Sequence, residues 1–482
     1  MRLIKRRSHY EIEGYIMGTF PQLERLLSVW DENSFKLNEY YYYDEGNQVL
    51  YFPGGVDASK IMSYTNGMYI EKDNDYNEVQ KTVSFTPSIL PREITQKEAI
   101  RFLAGQGEYS YTKNSSQLVL SLPGGVGKTY CAVATMSIFA KKSIVIVHNE
   151  KIRSQWIEKI PYYTNLPNKG VMALTSTEQL EMIASGKKIR GIQNVAFFVC
   201  THRLLGNYMK KHGFHSVNGL MKKLDVAVKI FDEAHLEFRS ILMLDYAINT
   251  WKTFYLTATF GRSDFKDNMI FQTSFQDVYK LIRGDDSIGR DRNVVYIAYV
   301  LDCKVSAIEA AAITIRKRFN VHRYFDVEMK YEKLFDTVSY WLDWYYNKKG
   351  YTGKTFLLSS KKETCDKCNQ IASEIFPDKR TAVHYTGDKV DALEEYDILS
   401  ATDRMLGTGT DLDNLGMVIN LVPISSSGNI DQIVHRLMRG KSTEDAFYIE
   451  GIDSSVPQVM KMYDKRSRVV RKIAKKAFEF RG

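Results

Sequence analysis

The stretch Ser121-Leu122-Pro123-Gly124-Gly125-Val126-Gly127-Lys128-Thr129 follows the apolar run Leu118-Val119-Leu120 and restricts the fold more than any other part of the chain. A buried strand feeding a small-residue turn that ends in Gly-Lys-Thr is the layout of a phosphate cradle. Backbone N–H groups close around an anion only where no Cβ stands in the way. Lys128 is then placed to reach phosphate oxygens and Thr129 to hold Mg²⁺, while the strict pattern has glycine where this chain has Leu122. The helix expected from Cys131-Ala132-Val133-Ala134-Thr135-Met136 directs its N-terminal dipole at the same anion.

A second signal lies downstream. The run Ala227-Val228-Lys229-Ile230-Phe231 ends in Asp232-Glu233-Ala234-His235, so a strand terminates in adjacent carboxylates. Asp232 is read as the partner of the Mg²⁺ on Thr129, and Glu233 as the group that orients or deprotonates water at the γ-phosphate. Further strands end in polar residues: Ser143–Val147 at His148, Val195–Cys200 at Thr201, and Tyr255-Leu256 at Thr257-Ala258-Thr259. Such strand ends line the ligand crevice of an open parallel sheet. Upstream, Gln96 opens a helix-period segment, and its amide pairs a donor with an acceptor, as an adenine edge requires.

At 482 residues the chain has room for several domains. A net charge of +9 suits an anionic polymer without proving one. Five cysteines, odd in number, point to a reducing compartment, and Cys365 and Cys368 have no second pair to complete a metal site. The basic start Met1–Arg7 runs into Ser8-His9-Tyr10-Glu11 rather than an apolar stretch, and no later run reaches membrane-spanning length. The expected location is the cytoplasm, or the host cytoplasm if the chain is phage-encoded.

Residues 1–88 are rich in aromatics, including Tyr40-Tyr41-Tyr42-Tyr43, and read as a small β-rich or α+β module. Its rings either stack on bases or lie half-buried in a sheet. A polar connector, Asp285–Asn293, marks the expected hinge, after which strands resume at Val294–Val300 and Lys354–Ser359. Tyr331–Trp344 reads as one amphipathic helix. Asp326-Val327-Glu328-Met329-Lys330 resembles a nuclease carboxylate-lysine triplet, but its alternation reads as an exposed strand. Leu406-Gly407-Thr408-Gly409-Thr410-Asp411 permits close backbone approach to phosphate. Gln432, Arg436 and Arg439 share one helical face, and paired guanidiniums suit a transferring phosphoryl group. From Val456 onward the chain is basic, a candidate helix for nucleic-acid phosphates.

In this order the motifs resemble those of superfamily 2 helicases, a likeness spanning roughly Arg92 to Lys441. Leucine at the position of Leu122 is frequent there. The usual Gln-x-x-Gly-Arg-x-x-Arg motif carries His435 in place of glycine, a departure that leaves the arginine roles intact. The resemblance implies an α/β fold of two tandem RecA-like domains, residues 89–285 and 286–456, after the N-terminal module and before a basic C-terminal helix within 457–482. It implies ATP and Mg²⁺ at Gln96, Pro123, Gly124, Gly125, Val126, Gly127, Lys128, Thr129, Gly409 and Asp411. Catalytic roles fall to Lys128, Asp232, Glu233, Arg436 and Arg439, and Mg²⁺ to Thr129 and Asp232. Nucleic-acid contacts fall to His148, Thr201, Ser359 and Thr408, and coupling to His235, Thr257, Thr259 and Gln432.

The compact core and Phe260-Gly261-Arg262-Ser263-Asp264 are most similar to XPB-type and UvsW-type DNA helicases, and the layout to phage-encoded branch-migration helicases. That implies a monomer, without a stable protein partner or membrane, acting on forks, D-loops and four-way junctions. A double-stranded DNA translocase or an RNA helicase shares these motifs. A metal-dependent nuclease and a binding protein with a vestigial ATPase are the readings outside the motor class.

Overall fold

Runs of β-branched and aromatic residues without alternation need cover on both faces, and parallel sheets flanked by helices supply it. A computed structural model describes the chain except residues 32–35, 74–82, 92–93, 188, 190, 262–264, 284–293, 316–317, 386–394, 403–413, 424–432, 435–436 and 438–444. The chain divides into two compact units, Met1–Gly284 and Asp285–Gly482. The expected hinge lies outside the described residues, as do Thr408, Gly409, Asp411, Gln432, His435, Arg436 and Arg439.

The first unit opens with β1 (Arg2–Lys5), β2 (His9–Glu13), β3 (Tyr42–Asp44), β4 (Val49–Pro53) and β5 (Ile70–Lys72), ordered β3-β4-β2-β1-β5 in one sheet. The tyrosine run packs within the protein. Tyr40 and Tyr41 are buried, the Tyr42 ring stacks on Phe214 at 4.2 Å, and the Tyr43 hydroxyl donates to Tyr15 O. Buried polar contacts join this module to the rest of the unit. Lys229, wholly buried, pairs with Asp245 at 2.7 Å and donates to Ser8 Oγ, while Gln117 Nε2 donates to Ser8 O.

The larger sheet of this unit is parallel throughout: β6 (Gln117–Ser121), β7 (Ser143–Val147), β8 (Val171–Ala173), β9 (Phe197–Thr201), β10 (Val228–Phe231), β11 (Lys252–Thr257) and β12 (Tyr279–Ile282), ordered β8-β9-β7-β10-β11-β6-β12. Strand β6 precedes α2 (Lys128–Phe139), after an earlier helix α1 (Ile94–Ala104). Strand β7 leads into α3 (Glu150–Tyr163), and β9 into α4 (His202–His212).

The second unit repeats the plan with β13 (Val294–Leu301), β14 (Lys354–Ser359), β15 (Thr381–His384), β16 (Ile398–Thr402), β17 (Leu415–Asn420), β18 (Ala446–Asp453) and β19 (Lys476–Arg481), all parallel in the order β15-β16-β14-β17-β18-β13-β19. Each unit therefore holds a RecA-like parallel α/β layer. Among the described residues, no helix is long and apolar enough to cross a membrane.

Two expectations for this unit are corrected. The triplet stretch is helix α5 (Val321–Tyr331), capped by the Asn320 side chain on Arg323 N, not a strand. Its candidate ligands separate: Asp326 pairs with Lys361, Lys330 with Glu309, and Glu328 is buried, where desolvation and Asp453 push its carboxyl up to about 9. The single helix expected from Tyr331 is broken at Glu332, whose φ is +57°, and resumes as α6 (Asp336–Asp343) and a π-helical turn, Trp344–Lys348. The basic C-terminal segment is a helix, α8 (Pro457–Ile473), followed by β19 on the sheet edge. Cys365 and Cys368 sit buried and unbridged on α7 (Lys362–Ile375).

Helix α8 is not uniformly a cationic face. Lys461, Lys465 and Arg468 are exposed, whereas Arg466 is 2% exposed and bonds Glu450 at 2.9 Å. Glu450, fully buried, also accepts from Tyr296 and Tyr448 at 3.0 Å each. Removing one partner of such a pair strands the other charge in a dry interior. Arg466→Ala is expected to cost about 3–5 kcal/mol in urea denaturation of the full chain. Lys465→Ala, its exposed neighbour, should stay within about 0.5 kcal/mol. Equal losses would show that the buried pair is not what holds this helix.

Candidate functional site

The turn after β6 is shaped by two glycines in the left-handed region, Gly125 at φ +87° and Gly127 at +94°. A Cβ on Gly127 would stand 2.7 Å from Gln96 Nε2, the far end of a flexible side chain, so it is the φ of +94° that favours glycine here. Gln96 is buried and donates to Val126 O at 2.8 Å, which holds its amide against the turn. Helix α2 begins at Lys128 without a side-chain cap, leaving its N-terminal amides for an anion. Lys128 Nζ, in a residue 9% exposed, donates to Leu122 O at 3.1 Å and lies 3.8 Å from Glu233 Oε1. Thr129 follows, half-buried, in the first turn of α2.

Strand β10 lies beside β11, which lies beside β6, so the chain after Phe231 emerges on the same edge as the phosphate turn. Asp232 N donates to Ile146 O and Ala234 N to Leu256 O, which anchors this turn to both neighbouring strands. The Asp232 carboxylate accepts from Trp156 Nε1 at 2.7 Å and from Glu233 N at 3.0 Å. Burial, then the charge of Glu233, raises the Asp232 pKa above the usual carboxylate range, with Trp156 and Lys128 opposing. Glu233 occupies φ +50°, a conformation uncommon outside glycine, and accepts from Ala258 N at 3.3 Å.

His235 connects this turn to the next. Its Nδ1 is 2.8 Å from Thr257 Oγ1, and the same hydroxyl donates to Thr259 O at 2.7 Å. With its proton committed to Thr259, Thr257 accepts, so His235 carries its proton on Nδ1. The structure thus brings Gln96, Lys128, Asp232, Glu233, His235, Thr257 and Thr259 to one end of one sheet.

The expected nucleic-acid contacts are arranged differently. The His148 ring stacks on His202 at 5.5 Å, with Nδ1 buried and without a hydrogen-bond partner. Thr201 is 8% exposed, and its hydroxyl caps α4 by accepting from Leu204 N. Ser359 is 1% exposed, its hydroxyl engaged by Thr364 at 2.7 Å and Cys365 at 3.1 Å. A direct side-chain contact from Ser359 is closed off by that packing, because the strand-end hydroxyl serves the start of α7 instead.

A pocket absent from the sequence reading adjoins Gln96. Gly125, Gly127, Tyr130, Tyr162 and Tyr163 line it, and Tyr130 meets Tyr163 edge to face at 5.4 Å. A flat heteroaromatic ring fits such walls. The available signal was Tyr130 directly after Lys128-Thr129, and the Tyr162-Tyr163 pair at the end of the helix that succeeds β7.

Parts of the chain are similar to known proteins in sequence, and the whole is similar to solved structures in fold. Residues 90–262 match the family described as "Type III restriction enzyme, res subunit". The DNA 3'-5' helicase XPB of Mycobacterium tuberculosis is 26% identical over 153 residues, 32% of this chain and 25% of that protein, so the match spans about a quarter of its length. S. cerevisiae Dbp5 bound to RNA and ADP BeF3 aligns with 82% of this chain and 90% of its own, at 12% identity and a TM-score of 0.52. T4 UvsW aligns with 100% of this chain and 99% of its own, at 14% identity and a TM-score of 0.37.

A carboxyl group whose pKa rises on folding costs stability in full above its folded pKa, and the cost fades as pH falls from the folded towards the unfolded value. Asp232→Asn is therefore expected to stabilise the chain by about 1–2 kcal/mol at roughly pH 8. The gain should shrink towards about pH 5, where the native carboxyl takes up its proton. Urea titrations at both pH values check this, and a gain independent of pH would contradict the electrostatic origin.

Proposed function

We propose that this protein is an ATP-dependent DNA helicase or translocase acting on branched DNA, a reading supported by the family match over residues 90–262 and by a RecA-like parallel α/β layer in each unit. The observation that carries the reading is the 3.8 Å approach of Lys128 Nζ to Glu233 at the mouth of a glycine-shaped turn. A cradle for phosphate and a pair of carboxylates share one sheet edge, as hydrolysis of a nucleoside triphosphate requires.

In this reading Gln96 and the tyrosine pocket hold adenine, and the amides from Gly124 to Thr129 hold the phosphates. Lys128 exchanges Leu122 O for phosphate oxygens. The hard oxygen donors of Thr129 and Asp232 suit Mg²⁺, and Trp156 fixes the direction of the Asp232 carboxylate. Mg²⁺, when bound, neutralises charge developing on the phosphates. Glu233, oriented by Ala258 N, positions or deprotonates the attacking water. His235, Thr257 and Thr259 link that carboxylate to the end of β11, a route by which hydrolysis changes the strand's surroundings. Gly409, Asp411, Gln432, Arg436 and Arg439 carry over from the helicase resemblance, the arginines as cations for the transferring phosphoryl group.

DNA as the polymer is supported by the likeness to a DNA helicase, and branched DNA by the resemblance of the Phe260–Asp264 motif to XPB-type and UvsW-type helicases. Lys128→Ala should remove more than about 99% of DNA-stimulated ATP hydrolysis, while DNA binding by anisotropy changes less than about threefold. Unchanged turnover would exclude this site. On matched fork, four-way-junction and linear substrates, the branched DNAs should be remodelled fastest. An equal rate on linear duplex, or preference for RNA, would overturn the branched-DNA assignment.

A further inference from the structure

Among the described residues, the β19 edge of the second unit's sheet carries a half-exposed aromatic surface. In the register of β19 on β13, Phe478 lies beside Ile297 and Phe480 beside Tyr299, so alternation puts Lys476, Phe478 and Phe480 on one face. Helix α8 covers the other face, where Tyr463 bonds Glu479 at 2.7 Å. Of four large apolar side chains exposed among the described residues of this unit, three are Tyr340, Phe478 and Phe480, each 46% exposed.

Tyr340 and Phe480 pack against neighbouring rings. Tyr340 is stacked on Tyr299 at 5.6 Å and 9°, Trp341 meets both rings edge-on, and Phe480 lies 5.8 Å from Trp341. The π-helical turn Trp344–Lys348 comes next and brings Lys348 to 5.5 Å from the Tyr340 ring and Lys349 to 5.7 Å from the Trp344 ring. Lys475 and Lys476 are exposed at the start of the strand. Lys348 also pairs with Asp343 at 3.2 Å, but a surface pair of this kind leaves much of its field available.

We propose that Tyr340, Phe478 and Phe480, with Lys348, Lys349 and Lys476, form a stacking platform for single-stranded nucleic acid. The proposal rests on the reading of the chain as a motor and adds to it a strand contact outside the helicase motifs. Ring faces bind any base, and the lysines attract the backbone. The Phe478 and Phe480 centroids are 6.3 Å apart. Bases in a duplex are stacked at roughly 3.4 Å, so rings this far apart receive neighbouring bases only from an unstacked strand. A second copy of this chain is the poorer occupant, because Lys476, Glu479 and Arg481 place charge along the edge strand and oppose pairing.

The test is anisotropy with fluorescein-labelled dT20, rU20 and a 20-base-pair duplex, without nucleotide. Phe478→Ala/Phe480→Ala should weaken dT20 binding about tenfold or more and duplex binding less than about twofold. Phe478→Trp/Phe480→Trp should retain wild-type affinity. Basal ATP hydrolysis and the thermal midpoint should be unchanged, since both rings are half in solvent. A parallel loss on rU20 marks a platform indifferent to the sugar, and a loss confined to dT20 marks one for DNA. Unchanged affinity for both single strands, an equal loss in the tryptophan variant, or a changed sedimentation mass with unchanged affinity overturns the platform. In the wild-type protein, ultraviolet crosslinking of 5-iodouridine-substituted DNA should label the peptide 476–482, independently of any variant's folding. Failure to label it also counts against the platform. Absence of any nucleic-acid-stimulated ATP hydrolysis in the wild type would instead sink the motor reading.

Discussion

An ammonium group buried beside two carboxylates has to be held in register before any phosphate arrives. Lys128 is held by Leu122 O and faces Glu233, while Asp232 is oriented by an indole N–H and kept from water. The backbone anchors lie at the ends of neighbouring strands: Leu122 O follows β6, Ala258 N follows β11, and Asp232 N bonds Ile146 O of β7. The parallel order β7-β10-β11-β6 is therefore what makes the site: it brings the ends of segments more than a hundred residues apart to one edge. Left-handed glycines at 125 and 127 then let the turn curl over that edge.

Charge is concentrated there at a cost. Asp232 is desolvated next to Glu233, and Glu233 itself sits in an unfavourable backbone region. Strain and like-charge repulsion of this kind persist only where surrounding packing over-determines them. The wholly buried Lys229–Asp245 pair, tied to Ser8, shows the other use of buried charge, fastening the N-terminal strands to the sheet. The tyrosine-rich start of the chain belongs to that fastening, with Tyr42 on Phe214 and the Tyr246 hydroxyl on Tyr40 O.

The strand-end motifs were legible in the sequence because each is local. An apolar run followed by Gly-Lys-Thr or Asp-Glu-Ala-His places its polar residues at a strand end wherever the strand lies in the sheet. The features that escaped depended on distant partners. Nothing near Arg466 announces that Glu450 waits for it, and nothing near Ser359 beyond Thr364 and Cys365 announces that its hydroxyl is enclosed. The helix at Val321–Tyr331 was misread as a strand because polar alternation in five residues fits two periods. The wider window, with Tyr324, Phe325, Val327 and Glu328 buried after an Asn320 cap, fits only the helical one. The tyrosine pocket beside Gln96 combines residues from two helices, so no single stretch displays it.

The central claim is that the turn after β6 and the carboxylates after β10 form one nucleotide site. A crystal structure with ADP, beryllium fluoride and Mg²⁺ tests it most directly. The account predicts phosphate oxygens on the amides from Gly125 to Thr129, the metal near Thr129 Oγ1 and Asp232, and Lys128 Nζ moved off Leu122 O onto the anion. Nucleotide bound elsewhere, or Lys128 still seated on Leu122 O with the phosphates in place, would contradict it.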